Sequence, residues 1–357
     1  MAGGFASSLL LLASCHSFGP DALKGSHPLY NDAINSSMNE QFIHNLVRIH
    51  YYDPSFFLDV TNVAATMKLD FTGGLDQSAF GLTDSASDII KFSAGGEYYT
   101  QPTISFAPLQ GDAFVRSLLS PIPLDYLIQL TQSGWSTKRV FGLCVERLNN
   151  LENVPTGSGP MPDYSPTNHQ EFGQLLALME SVRGPRLITP RVDEANKIAV
   201  VEVKSSPEYS ETIRKIKKAL DLDQNIDTYK LSSNPLQRGR DTITITTRSL
   251  MSILFYLSHN VRTPKEHIDD GMVKVTRNDD GTAFDWGETP AGKVFKINYS
   301  DDYPEKGFLA IPYMDHWYYI AHNDIESKST FMLLTQLFRL QAGSAKMTAP
   351  ALTIPVR

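Results

Sequence analysis

The sequence predicts an α+β fold: antiparallel sheets packed by amphipathic helices, arranged in two lobes. Three observations lead there. Met38, Phe42, Leu46 and Ile49 fall at spacings of four, four and three, an apolar stripe along one helix face. Runs such as Met67, Leu69 and Phe71, or Ile243 and Ile245, alternate with polar residues at the period of a half-buried strand. Residues 154–166 carry four prolines and two glycines, the composition of a linker between units. The chain therefore reads as an N-terminal α+β lobe over 29–150, a linker over 151–166 and a C-terminal α+β lobe over 167–357.

In order, the stripe predicts a helix over 29–51, ended by Asp53-Pro54 because the residue before proline avoids helical geometry. Strands follow at 56–60 and 63–71, a turn at Gly73-Gly74, and a loop or hairpin tip over 75–96. Residues 98–107 read as a strand that Pro102 confines to an edge. Helices are expected at 110–119, at 124–132 with Gly134 as its cap, and at 136–149, with Trp135 plugging the core at the junction.

In the second half, Thr167 caps a helix through 182, with Phe172, Leu175, Leu176, Met179 and Val182 buried. Residues 187–189 and 197–203 read as paired strands, the latter apolar enough to be central. The helix over 211–220 shows Arg214, Lys215, Lys217 and Lys218 as a solvated basic face. A strand over 241–247 precedes a deeply buried helix over 250–257. Asp280-Gly281 signals a type I′ hairpin turn. Strands at 294–299, 307–313 and 317–321 form a meander, followed by a helix over 325–341 and a closing strand over 352–356.

Composition excludes one partner class. The formal charge of −7 argues against nucleic acid, which calls for a basic face. At the N-terminus, the apolar stretch over 5–13 is too short for the ~20 residues that cross a bilayer. Leu12-Ala13-Ser14-Cys15 resembles the lipobox of bacterial lipoproteins, although residues 1–14 hold no Lys or Arg. The resemblance implies a signal peptide over 1–14 and acylation of Cys15, whose sulfur accepts a diacylglyceryl group. Two or three chains anchor stably where one does not. Residues 15–28, with Gly19, Pro20, Gly25 and Pro28, read as a tether from lipid to folded body. His16, in place of the Asp that retains lipoproteins at the inner membrane, points to the periplasmic face of the outer membrane. With Cys15 acylated, Cys144 has no disulfide partner and reads as a small buried residue.

No catalytic, cofactor or metal motif stands out. His316 and His322, extended, would lie roughly 20 Å apart, too far to share an ion. Ser258-His259 lacks a nucleophile elbow, Asp279-Asp280-Gly281 lacks the closing ligands of a calcium loop, and Thr156-Gly157-Ser158-Gly159 lacks the lysine of a phosphate loop. Trp317, Tyr318 and Tyr319 are the candidate partner-binding aromatics.

Further segments carry a second resemblance: Tyr30-Asn31-Asp32-Ala33, Asn39-Glu40-Gln41, Asp53-Pro54, Ser133-Gly134-Trp135, Tyr256-Leu257-Ser258, Phe284-Asp285-Trp286, Ser327-Lys328-Ser329-Thr330-Phe331 and Leu352-Thr353-Ile354-Pro355-Val356. They look like a family of uncharacterised bacterial envelope lipoproteins. That resemblance implies the envelope and brings no catalytic residue, cofactor or metal. The expected function is a lipid-anchored scaffold or assembly accessory that binds other envelope proteins. Its alternative is a hydrolase of peptidoglycan, lipid or exported polymer. A third possibility, a small-ligand carrier, requires a large apolar cavity between the lobes.

Overall fold

The computed structural model describes residues 18–74, 93–160, 162, 169–184, 186–193, 198–204 and 206–344. The signal segment over 1–14, Cys15, most of the loop expected over 75–96, the Thr167 cap and the strand expected over 352–356 lie outside the described residues.

Helix α1, Phe18–His50, is continuous through Pro28. The tether expected over 15–28 is therefore helical from Phe18 onward. Pro20 falls in the first turn, where a missing N–H costs nothing, and Ala22, Leu23 and Lys24 are strong helix formers. The predicted stripe is buried at Phe42, Leu46 and Ile49, joined by Ile43 and Val47. Asn45 fixes the exit: its Nδ2 donates to Phe56 O at 2.7 Å and its Oδ1 accepts from Phe56 N at 2.9 Å.

Residues Leu58–Pro108 form a compact unit of their own. Strands β1 (Leu58–Gly74) and β2 (Ser93–Pro108) pair antiparallel from Leu58↔Pro108 to Gly74↔Ser93. The two strands expected at 56–60 and 63–71 are thus one, interrupted only by an irregularity between Val60 and Asn62. Leu109 N donates to Phe57 O at 2.8 Å where the chain leaves and re-enters the other unit.

In that other unit, helices α2 (Asp112–Leu119), α3 (Leu124–Gln132) and α4 (Thr137–Cys144) lead into strands β3 (Val145–Leu148) and β4 (Leu151–Glu152). The helix predicted over 136–149 stops at Cys144, because Val145–Leu148 completes a ladder with both β4 and the strand over Thr242–Thr247. Helix α5 (His169–Ser181), strands β5 (Ile188–Asp193) and β6 (Ile198–Val203), helix α6 (Ser210–Ala219) and strands β7 (Thr228–Ser232) and β8 (Thr242–Thr247) follow. The six strands run in the order β4-β3-β8-β7-β6-β5; β7 and β8 are parallel and the other neighbours antiparallel.

Where it is described, the expected linker over 151–166 is a tight corner buried at its centre. Asn153 and Val154 are fully buried, Val154 takes φ 48°, and Pro155–Ser158 makes a 3₁₀ turn. Arg248 explains why. Its buried guanidinium donates to the carbonyls of Leu143, Val145, Asn153 and Val154 and to Ser158 Oγ, and lies 4.2 Å from the Tyr256 ring centre. Prolines and glycines punctuate a tight corner as readily as a linker.

Helix α7 (Leu250–Ser258) is the centre of the core: Leu250, Ile253, Leu254, Tyr256 and Leu257 are fully buried. Helix α8 (Lys265–Asp269) precedes a three-stranded sheet of β9 (Asn298–Ser300), β10 (Gly307–Tyr313) and β11 (His316–Ala321), in the order β10-β11-β9. Met314 (φ 46°) and Asp315 (φ 64°) make the two-residue turn between β10 and β11. Helix α9 (Ile325–Ser344) lays Phe331 and Phe338 beside Phe42, at 6.1 and 5.1 Å between ring centres.

Two smaller expectations change. Lys217 does not belong to the solvated face: it is buried, its Nζ donating to Gln224 O, Ile226 O and Asp227 Oδ1. The turn at Asp279-Asp280-Gly281 is a three-residue loop closed by Asn278 N to Thr282 O at 2.8 Å. Only Gly281 has positive φ there (85°), so type I′ geometry, which needs two such residues, is absent from this turn.

Candidate functional site

The face of the six-stranded sheet that carries Ile243 and Ile245 of β8 and Val201 and Val203 of β6 does not close completely onto α3, α4 and α6. It leaves a cavity of about 440 Å³, walled by Leu127, Ile128, Phe141, Met179, Ile213 and Ile216 together with those strand residues. The alternation in β8 and the apolar run of β6 supply one apolar wall, and α3 supplies the other. Gln132, Arg183 and Arg186 are the exposed polar members of the lining and mark its mouth. Gln132 Nε2 donates to Pro190 O at 3.2 Å, tying α3 to β5. Arg183 donates to Glu180 and to Gly134 O. The volume lies within the range of small-molecule sites, roughly 300–1,000 Å³.

Beside the three-stranded sheet runs a chain of polar side chains. Tyr318 OH lies 2.6 Å from Tyr51 OH, which in turn lies 2.7 Å from His267 Nδ1. The ring of His316 crosses that of His267 edge-on, with 5.0 Å between centres. His316 Nε2 lies 2.9 Å from Glu266 Oε1, and its Nδ1 lies 3.0 Å from Asp301 Oδ1. Burial pushes the Tyr51 and Tyr318 hydroxyls up, keeping them protonated at neutral pH, and Tyr313, bonded to Asp53, is raised for the same reason.

A second cavity, about 210 Å³, lies between the C-terminal ends of α1 and α7 and the segment over 261–286. Its two histidines are kept neutral by burial, each pulled down to about 4. His50 Nε2 meets Thr263 Oγ1 at 2.6 Å, and the His259 ring stacks on Trp286 with 4.2 Å between centres.

These are the positions of the residues singled out in the sequence. Tyr318 is fully buried and belongs to the hydroxyl chain, so it cannot anchor a partner at the surface. Trp317 and Tyr319 are half-buried, and Trp317 packs edge-on against the exposed Tyr303. His322 faces Phe308, not His316. Ser258 Oγ donates to Phe255 O at 2.8 Å and is a helix residue, not a nucleophile beside a base. Cys144 is fully buried, and burial pushes its thiol up to about 12.

No protein-family model, no curated protein and no solved structure matches this chain.

The cavity and the histidine–carboxylate cluster were both missed in the sequence. Glu266-His267 gives a weak local signal, two ligand-type residues side by side on a short helix, but His316 and Asp301 reach it only through the pairing of β9 with β11. The cavity residues read one by one as ordinary core.

Proposed function

We propose that this chain is a lipid-anchored envelope protein that acts by binding, and that its ligand is an anionic amphiphile with a single acyl chain. Cys15 is the anchor in this reading, and the envelope placement rests on the lipobox and the family resemblance. The ligand rests on one observation, the apolar cavity of about 440 Å³ beneath α3. Unoccupied, its apolar walls face solvent, a cost of about 25 cal/mol for each Å² of apolar surface left exposed. Water gains little there, because the walls offer it few hydrogen-bond partners. An acyl chain removes both penalties. Arg183 and Arg186 at the mouth suit a carboxylate or phosphate head.

The scaffold reading keeps support of its own: Tyr299, Tyr303 and Phe308 on and beside the three-stranded sheet are exposed. One experiment separates the two. The purified full chain is titrated with a fluorescent fatty acid, alongside Ile213→Trp, which fills the cavity, and Arg186→Glu, which inverts the charge at its mouth. Saturable one-to-one binding, abolished by the first variant and weakened about tenfold by the second, is expected. No saturable binding, or binding indifferent to both changes, overturns the carrier. A protein that co-purifies with wild type but not with Tyr303→Ala would then restore the scaffold.

A further inference from the structure

We infer that Glu266, His267 and His316 form a binding site for a divalent first-row transition metal, zinc by its ligand chemistry. The site is independent of the acyl-chain cavity. The potential ligand atoms of the three residues all lie within 4.8 Å of one another. Ligands held tetrahedrally at 2.0–2.1 Å from zinc are about 3.3 Å apart; Glu266 Oε1 and His316 Nε2 are already 2.9 Å apart, and no pair in the cluster exceeds that spacing by more than about 1.5 Å.

The outer contacts are what distinguish this cluster from an ion pair. His316 Nδ1 is held by Asp301 Oδ1 at 3.0 Å, which leaves Nε2, on the Glu266 side, to bind an ion. His267 Nδ1 is held by Tyr51 OH at 2.7 Å, so its Nε2 is the nitrogen assigned to the ion. Each imidazole thus has an oxygen partner on one nitrogen that fixes its tautomer and orientation, the arrangement metal-binding histidines adopt. Tyr51 is itself fixed by Tyr318 at 2.6 Å. Both rings are sheltered, His267 at 7% exposure and the His316 side chain at 11%.

The competing account is His316 clamped between Asp301 and Glu266 alone. Those carboxylates are 84% and 65% exposed, where an ion pair contributes little, and a clamp does not account for a ligand atom of His267 lying within 4.8 Å of the other two. Two imidazoles and one carboxylate suit zinc, iron(II) or cobalt(II) better than calcium or magnesium. Three protein ligands leave a fourth position for water or a ligand group.

The test is titration of the metal-free full chain with zinc against a chromophoric chelator. One zinc per chain is expected, lost in His316→Ala and in Glu266→Gln, whose exposed side chain can change without unfolding the protein. Asp301→Asn, an outer partner only, is expected to weaken binding 10–100-fold. His322→Ala is expected to change nothing. Cobalt(II) in the same site is expected to give the visible absorption of a tetrahedral ion. Failure to bind stoichiometric zinc, or zinc binding that survives both His316→Ala and Glu266→Gln, overturns the inference. So does equal loss on His322→Ala.

Discussion

At the scale of single residues, His50 and His259 are expected to make the fold sensitive to acid. Their folded values near 4 stand against 6.5 in the unfolded chain, burial being the main cause for both. Between those values the unfolded chain binds more protons, so stability is whole above about pH 6.5 and falls as pH drops toward 4. Each ring contributes at most about 3 kcal/mol of that loss, at ~1.4 kcal/mol per unit. His259→Phe keeps the stacking on Trp286 and removes one titrating group. Thermal unfolding followed at pH 7 and pH 4.5 is expected to show a smaller loss of Tm for this variant than for wild type. An equal loss in both would assign acid sensitivity elsewhere.

At the scale of elements, the paired strands β1 and β2 are expected to be dispensable to the other unit, because they form a compact unit of their own. Phe57 O and Leu109 N are already hydrogen-bonded, at the width that a tight turn spans. Replacing residues 58–108 by a two-residue Asn-Gly turn is expected to leave a cooperative unfolding transition within a few degrees of wild type. Loss of that transition in circular dichroism would mean that the hairpin is needed for the remainder to fold.

Over the whole molecule, the class and most helices were legible because they depend on local periodicity. The faces of α1 and α5, the all-round apolarity of α7 and the alternation in β8 are set by near neighbours, and these elements appear in the predicted places, α1 with an earlier start at Phe18. What was not legible depends on distant partners. Val145–Leu148 has helical propensity enough to continue α4, but β8, about a hundred residues later, takes it as a strand. The corner over 151–160 looked like a linker until Arg248 supplied the donors that bury it. Lys217 looked like surface because three acceptors, Gln224 O, Ile226 O and Asp227, come from the segment after the helix. The histidine–carboxylate cluster is the extreme case, drawing on α8, on β11 and on the residue after β9.

The seclusion of Cys144 makes the molecule a quantitative reporter on its own maturation. The chain has two cysteines, and the one inside the core stays a thiol that alkylating reagents cannot reach. Native protein from cells is therefore expected to take up no maleimide if Cys15 has been acylated and one equivalent if it has not, with a further equivalent released only on denaturation. The same silence leaves a background on which a single introduced cysteine, at Arg186 for example, can carry a dye to the rim of the cavity and report occupancy by its colour.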